Sequence, residues 1–505
     1  MWRATSTQSI LTNVRRSAKI PLTPAALPQG GEGRLRVNRL CQRVIRNTAV
    51  ALAAFFAFGC TMGPKYHRPP VDVPQSYRGV AASPPSAAAS FGNEKWWEAF
   101  QDPQLQALIR TALKQNYDLR IAATRILEAQ AQVSIARGNQ LPSAGAIVAG
   151  NDQRQPKSAL FRAFDTSYDE VGLALQWDLD FWGKYRRATE ATRDQLLANE
   201  WGQRQVTASL VANVASAYFV LRALDLQLHI SQRTLASDQD SLRLTQLLVD
   251  HGATSLLDVR QAEQLVYNAS GSISTLEKQI AQQENLISIL LGQNPGEVAR
   301  GLEITAEPHI PEVPAGLPSS LLERRPDIRA AEAQLMAANA RIGVAKAAYF
   351  PVISLTGIGG FQSIPLSQLF TTPYGMWNFT GQLAQPLYAG GTLRGGLRVA
   401  QAQQQEAVLN YQQTIQQAFR EVSDALIAYH QDHDFRTQQE SLTYSAKDAS
   451  RLSDIRYRGG ASSYLEVLDS NTRTYSAELT LVQARLSEML DYIQLYRALG
   501  GGWQN

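Results

Sequence analysis

Val171-Gly-Leu-Ala-Leu-Gln-Trp-Asp-Leu-Asp-Phe181 carries a large apolar residue at every odd position and a small or polar one at every even position. A period of two sends the two sets to opposite faces of a strand. A second stretch repeats the pattern more weakly, with Trp377, Phe379, Leu383 and Leu387 alternating with Asn378, Thr380, Gln382 and Ala384. Partner strands are expected near Ala144–Gly150 and Val352–Phe361. About ten alternating residues with Trp, Tyr and Phe at the margins suit a strand that crosses a membrane. A half-buried hairpin of a soluble protein would alternate in the same way.

Two hairpins give four strands. A barrel in lipid needs about eight or more, and open strand edges are not tolerated there. One chain therefore cannot close the wall. Two copies would give eight strands around a filled interior, and three would give twelve around a lumen. The trimer is the expectation, because a channel suits the helices that accompany the strands.

The chain is also written twice. Asp118–Arg137 aligns without gaps on Asp327–Lys346 at an offset of 209, which carries Pro142 onto Pro351. At offset 208, Gly252-Ala-Thr-Ser-Leu-Leu-Asp-Val259 matches Gly460-Ala-Ser-Ser-Tyr-Leu-Glu-Val467. Such self-similarity marks duplicated architecture. The spacing predicts, in each half, a helix, two strands, a very long helix, a tight glycine turn and a second long helix. Residues 102–292 are repeat 1, 293–318 a Pro/Gly-rich linker at the equator, and 319–505 repeat 2. Asp102-Pro103 reads as an N-cap with proline at the first helical position.

Leu397–Arg458 and Ala461–Leu499 contain neither glycine nor proline. As helices they would reach about 93 and 58 Å. The first half has the same pair, interrupted by Gly202 and Gly271, and a break near Asp432–Phe435 is expected to divide the longest helix. Faces rich in Ala, Gln, Ser and Leu suit coiled-coil packing. The fold class is thus α+β: four strands per chain in a trimeric 12-stranded barrel, continued by antiparallel helical hairpins that form an α-barrel.

Residues 1–48 are Arg-rich with Glu32 as their only acid, and Ala49–Gly59 is an apolar run too short to span a bilayer. Residues 1–59 read as a signal peptide. Gly59-Cys60 resembles a lipobox, which makes Cys60 the expected lipidation site and 60–101 a lipid-anchored extended segment. The 505 residues carry a formal net charge of +4, too little for nucleic-acid binding. The two cysteines, Cys41 and Cys60, leave the body without a disulfide framework or a Cys-ligated metal site. There is no H-E-x-x-H, G-x-S-x-G, P-loop or C-x-x-C. Gly357-Ile-Gly-Gly360 lies in a strand pattern and opens no helix. His430 and His433, beside Asp432 and Asp434, have metal-compatible spacing but read as a solvated helix face. No enzyme, cofactor or metal site is expected.

Several further motifs carry a resemblance. They are Gly63-Pro-Lys-Tyr-His-Arg-Pro69, Trp96-Trp97-x-x-Phe100-x-Asp102-Pro103-x-Leu105, Arg324-Arg-Pro-Asp-Ile-Arg329, Tyr349-Phe-Pro351, Gly390-Gly391 and Tyr457-Arg-Gly-Gly460…Leu465-Glu-Val-Leu-Asp469. Together the chain resembles the TolC-like outer membrane efflux protein family. The N-terminal cysteine followed by Gly-Pro-x-Tyr is similar to its NodT-like lipoprotein branch, which serves RND-type pumps. The resemblance implies a homotrimer in the outer membrane of a Gram-negative bacterium, in contact with outer membrane lipid and extending into the periplasm. It implies an exit duct for drugs or other small solutes, a periplasmic adaptor (membrane fusion) protein and an inner-membrane pump of the RND type. An outer membrane channel of a type I protein secretion system and a periplasmic structural coiled-coil lipoprotein are the alternatives.

A duct needs a gate, and the hairpin tips are the free ends of the helical tube. Asp258 and Glu466 are equivalent tip positions; three chains would set six carboxylates at one height, with Asp469 one turn on from Glu466. The resemblance implies that tip carboxylates and a tyrosine take part in closure, which maps the periplasmic gate onto Asp258, Tyr457, Glu466 and Asp469. A tip arginine of some relatives falls at Ser462, for which Arg456 or Arg458 could substitute. The turns at Gly252, Ala253 and Thr254 and at Gly459, Gly460 and Ala461 are the expected adaptor docking tips, where small residues allow close approach.

Overall fold

The computed structural model describes residues 61–78, 91, 95–156, 163–302 and 318–503. The expected signal peptide, Cys60 and residues 303–317 of the linker lie outside the described residues.

A short helix α1 (Trp96–Ala99) leads into α2 (Pro103–Gln115), α3 (Tyr117–Gly138), strands β1 (Ser143–Gln155) and β2 (Phe164–Leu179), and the long pair α4 (Lys184–Asp250) and α5 (Leu256–Leu290). The same order follows in α6 (Leu321–Arg324), α7 (Pro326–Ala347), β3 (Val352–Ser363), β4 (Gly375–Ala384), α8 (Thr392–Arg458) and α9 (Tyr464–Ala498). Both α4 and α8 have 67 residues, about 100 Å of helix.

The three expected helix interruptions do not occur. Helix α4 runs through Gly202, α5 through Gly271 and α8 through Gly395 and Gly396, each at about 1 kcal/mol relative to alanine. Helix α8 also runs unbroken across Asp432–Phe435. No residue there lacks a backbone donor, and the polar side chains are engaged across the hairpin instead. His433 Nδ1 lies 2.7 Å from Glu488, and Arg436 Nε pairs with the same carboxylate at 2.6 Å.

The caps are legible. Asp102 accepts from Gln104 N and Leu105 N ahead of Pro103, and it is buried because Tyr218 Oη and Leu302 N also donate to it. Asn116 caps α3 through Leu119 N. Strand β2 stops at Leu179, short of Phe181, because Asp180 turns to accept from Tyr185 N and Arg186 N at the start of α4. Strand β4 stops at Ala384, leaving Leu387 outside it; Pro386 has no N–H to continue a ladder.

The four strands pair antiparallel in the order β1-β2-β3-β4. Partners share a face, so Leu173 stands with Ala146 and Gly359, Leu175 with Ala144 and Gly357, and Trp177 with Leu355. Trp377, Phe379 and Leu383 lie on this same face through Gly359, Gly357 and Ile353. The other face carries Gln176, Asp178, Ser354, Thr356, Asn378, Thr380 and Gln382. Among the described residues no other element covers the apolar face: Trp377 is 83% exposed and Leu173 64%.

The main core lies where α2, α4, α9 and the N-terminal aromatic motif meet. Trp96, Phe100, Leu105, Ile109, Tyr218, Leu221, Ile287, Tyr492 and Tyr496 are buried together there. Phe91 packs on Tyr492 and Tyr496 at 4.8 and 5.1 Å. Helix α4 contains a window apolar enough to cross a membrane by composition, but 67% of it is buried inside the protein, where it serves as the central core helix.

Candidate gate and channel surfaces

At both tips the long helices end in the same backbone device. Gly252 (φ 75°) and Gly460 (φ 71°) take the left-handed conformation. Ala253 N donates to Leu248 O and Gly252 N to Val249 O; Ala461 N donates to Arg456 O and Gly460 N to Tyr457 O. These are paired Schellman closures, which satisfy the last carbonyls of α4 and α8 and reverse the chain within a few residues. Gly459 and Thr254 complete the turns, and a Cβ at Gly252 or Gly460 would meet nothing within 4 Å.

The four expected gate residues have different local duties. Asp258 is the third residue of α5 and accepts from Ser255 N, from Ser255 Oγ and from Thr254 Oγ1 in a short contact. Those donors, led by Thr254, hold its carboxyl below the usual carboxylate range. Tyr457 packs against Tyr464 at 5.5 Å, beside Ala262 and Val467. Its hydroxyl is buried without a partner among the described residues. Burial, and then the nearby Asp258 charge, push its pKa up. Glu466, the counterpart of Asp258, does not cap its helix; its carboxylate lies 3.6 Å from Arg456 Nε. Asp469 is bound at 2.8 Å by Arg473, one turn along its own helix. Arg458 is likewise held by Asp454. Within one chain, then, Asp258 and Tyr457 come together, Glu466 meets Arg456, and Asp469 stands apart.

Sequence reasoning missed a polar seam that climbs from these tips between α4 and the second helical pair. Tyr464 Oη lies 3.1 Å from Ser241 Oγ, and Tyr475 Oη 2.8 Å from Ser231 Oγ. Glu478 is clamped by Arg233 and Lys447. Asp238 is buried in the same stretch, and desolvation pushes its carboxyl up to about 6. The signal was weak, since Ser231, Arg233 and Ser241 on α4 are each separated from their α9 partners by more than two hundred positions.

The N-terminal segment was also under-read. Met62 N donates to Trp182 O, Pro64 O accepts from Asn339, and Arg68 and Tyr66 converge on Glu332. Residues 62–68 thus run along α7 from the strand–helix junction. On α8, His433 faces Glu488, and Asp432 meets Asp491.

An exposed amphipathic sheet accompanied by helices of about 100 Å fits a membrane channel. The outer membrane efflux protein family model matches residues 108–293 and again 317–501, and the chain belongs to that family. It is 38% identical over 461 residues to the probable efflux pump outer membrane protein TtgC of Pseudomonas putida, spanning 90% of this chain and 95% of TtgC. It is 36% identical over 447 residues to the cation efflux system protein CusC of Escherichia coli K12, covering 88% and 96% of the two chains. The fold is similar to the open state of the Neisseria gonorrhoeae MtrE outer membrane channel, with a TM-score of 0.79, 33% identity and coverage of 88% and 99%. The protein is an outer membrane channel of an efflux system.

Proposed function

We propose that three copies close a 12-stranded barrel in the outer membrane, and that their helical pairs form the periplasmic tube of a tripartite exporter. The observation that carries this reading is the sheet. Its face is apolar from Leu179 to Val171, about 27 Å along the strand, or about 21 Å of height at a 40° tilt, against the apolar band of about 25 Å typical of such barrels. Each edge strand, β1 and β4, has one paired neighbour. In lipid those edges need partners, and a second and third copy provide them.

The duct is passive, with solutes entering from an RND-type pump through a periplasmic adaptor that docks at the tips around Gly252–Thr254 and Gly459–Ala461. Relatives are named for toluene, antibiotic and cation efflux; small solutes are accordingly the cargo class inferred here. Asp258, Tyr457, Glu466 and Asp469 form the periplasmic gate, with Glu466 paired to Arg456 across the second turn. Cys60 carries the lipid anchor. Single-channel recording of the purified protein, with its mass determined in detergent, tests the reading. A trimer with stepwise conductance is expected; a monomer without conductance would overturn it.

A further inference from the structure

The two hairpins differ in charge. Between Lys346 and Arg394 the chain has no Asp, Glu, Lys or Arg, so β3, β4 and the loop joining them are uncharged throughout. The first hairpin carries Asp152, Arg154, Asp165, Asp169, Glu170 and Asp178 on its strands alone. It is also longer. The last β2–β3 pair is Asp169–Ser363, and β2 continues past it from Tyr168 to Phe164, about 17 Å of polar ribbon. The loop at 364–374 therefore turns at the level where the apolar band stops, well below the tip of the first hairpin.

That loop presents apolar side chains outward: Ile364 is 74% exposed, Leu366 69% and Phe370 71%, while Leu369 is tucked in at 2%. Phe370 packs edge-on against Phe361, with ring centroids 5.8 Å apart. Phe361 is paired with Val171 and so belongs to the apolar face of the sheet. The loop is continuous with that face. Some of its polar groups bond to one another, while Ser367 and Thr372 stay exposed beside the apolar side chains. Gln368 N, Thr371 N and Tyr374 N donate within the loop, Ser363 Oγ donates to Pro365 O, and Tyr374 Oη donates to Gln368 Oε1 at 2.7 Å. Irregular backbone is not tolerated inside the hydrocarbon, so the loop backbone belongs at the interface with only its apolar side chains reaching inward.

We infer that the 364–374 loop is a lipid-contacting anchor that inserts Ile364, Leu366 and Phe370 into the outer leaflet at the rim of the barrel. The inference rests on the barrel reading above. It differs from that reading in assigning a lipid-binding surface outside the strands. The occupant is acyl chain, because the loop extends the face that lipid covers and carries no charge to recognise a headgroup.

The test is spin-label accessibility on the purified full-length protein in lipid nanodiscs. Labels are placed at Leu366→Cys, at neighbouring Ser367→Cys in case the first variant assembles poorly, at Val148→Cys on the apolar face of β1, and at Asp165→Cys on the polar ribbon. The unsubstituted protein serves as the blank for Cys41 and Cys60. Lipid contact predicts a ratio of oxygen to water-soluble nickel-chelate collisions several-fold higher at 366 than at 165, and close to that at 148. A ratio at 366 equal to that at 165, with 148 still lipid-like, overturns the loop assignment and leaves the barrel intact. Spin–spin broadening at 366 between copies would overturn it in favour of a contact between protomers. An aqueous 148 would overturn the barrel reading itself.

Discussion

Leu175 offers the sharpest test of which way the sheet faces. It sits midway between Val171 and Leu179, with Ala144 and Gly357 as its neighbours on β1 and β3, so it marks the middle of the apolar band. An arginine at the midplane of a lipid-facing strand costs about 2–4 kcal/mol, falling to about 0–1 near the interface. Leu175→Arg should therefore cost about 6–12 kcal/mol per proposed trimer, Leu179→Arg a small fraction of that, and Gln176→Arg almost nothing because its side chain is on the opposite face. The Leu175 and Gln176 variants add the same side chain one position apart, so strand propensity and chain charge cancel between them. Unfolding by guanidinium in phospholipid vesicles, followed by tryptophan fluorescence and by loss of the heat-modifiable oligomer on gels, gives the ranking. Equal losses at 175 and 176, or a greater loss at 176, would show that the faces are assigned wrongly and that the uncovered sheet is not a lipid surface.

Asp258→Ala should cost about 1 kcal/mol, as loss of an N-terminal capping partner does, and should speed amide exchange at the first turn of α5. Because its donors depress the Asp258 carboxyl, their stabilisation is present above the ordinary carboxylate range and is lost as pH falls through the depressed value; exchange at Leu256–Val259 in acid should show this. Asp491 behaves in the opposite way. Burial, then the hydrogen bond to Asp432, raise it to about 7, so its favourable contribution is complete below about 4 and is lost as pH rises through about 7. Denaturant midpoints should fall across that window in the parent protein and less in Asp491→Asn. Joint Glu466→Gln and Asp469→Asn should raise leak conductance in planar bilayers; unchanged conductance would remove those carboxylates from the gate.

Period and punctuation made the fold legible. The two-residue period of 171–179 located β2, and the absence of Gly and Pro over 397–458 located the C-terminus of α8, whose start lies five residues earlier, at Thr392. Tip geometry was legible in Gly252 and Gly460, because a left-handed turn between two long helices has few other solutions. Apparent breaks misled where local composition was read without its tertiary partner. Asp432 to Phe435 is poor in helix formers, but His433 within it and Arg436 beside it are held from α9 by Glu488. Asp258 was legible as a tip carboxylate yet not as a cap. Both readings follow from the third helical position, and only the Thr254 and Ser255 donors distinguish them. The buried polar seam from Ser231 to Tyr464 was not legible, since hydroxyls scattered on two long helices carry no local signature.

Closure by rotation receives independent support from how the elements lie side by side. In the sheet the flanks are β1 and β4. In the helical layer nearest the sheet, α3 packs on α4, α4 on α7 and α7 on α8, which leaves α3 and α8 at the flanks. Toward the tips α5 packs on α4, α4 on α9 and α9 on α8, so the flanks are α5 and α8. One side of the chain is thus β1, α3 and α5 from end to end, and the other is β4 and α8. Both sides leave apolar residues uncovered, including Ile121, Leu127 and Ile135 on α3, Tyr267 and Ile289 on α5, and Leu409, Phe435 and Leu442 on α8. A rotation that sets β4 of one copy against β1 of the next also brings α8 against α3 and α5, so one symmetry operation serves barrel and tube together. A charge in the first third of the α8 flank, such as Leu409→Asp, should then weaken the oligomer while leaving the helices of each chain intact. Sedimentation in detergent alongside circular dichroism measures both, and a full-sized oligomer with Asp at 409 would count against this seam.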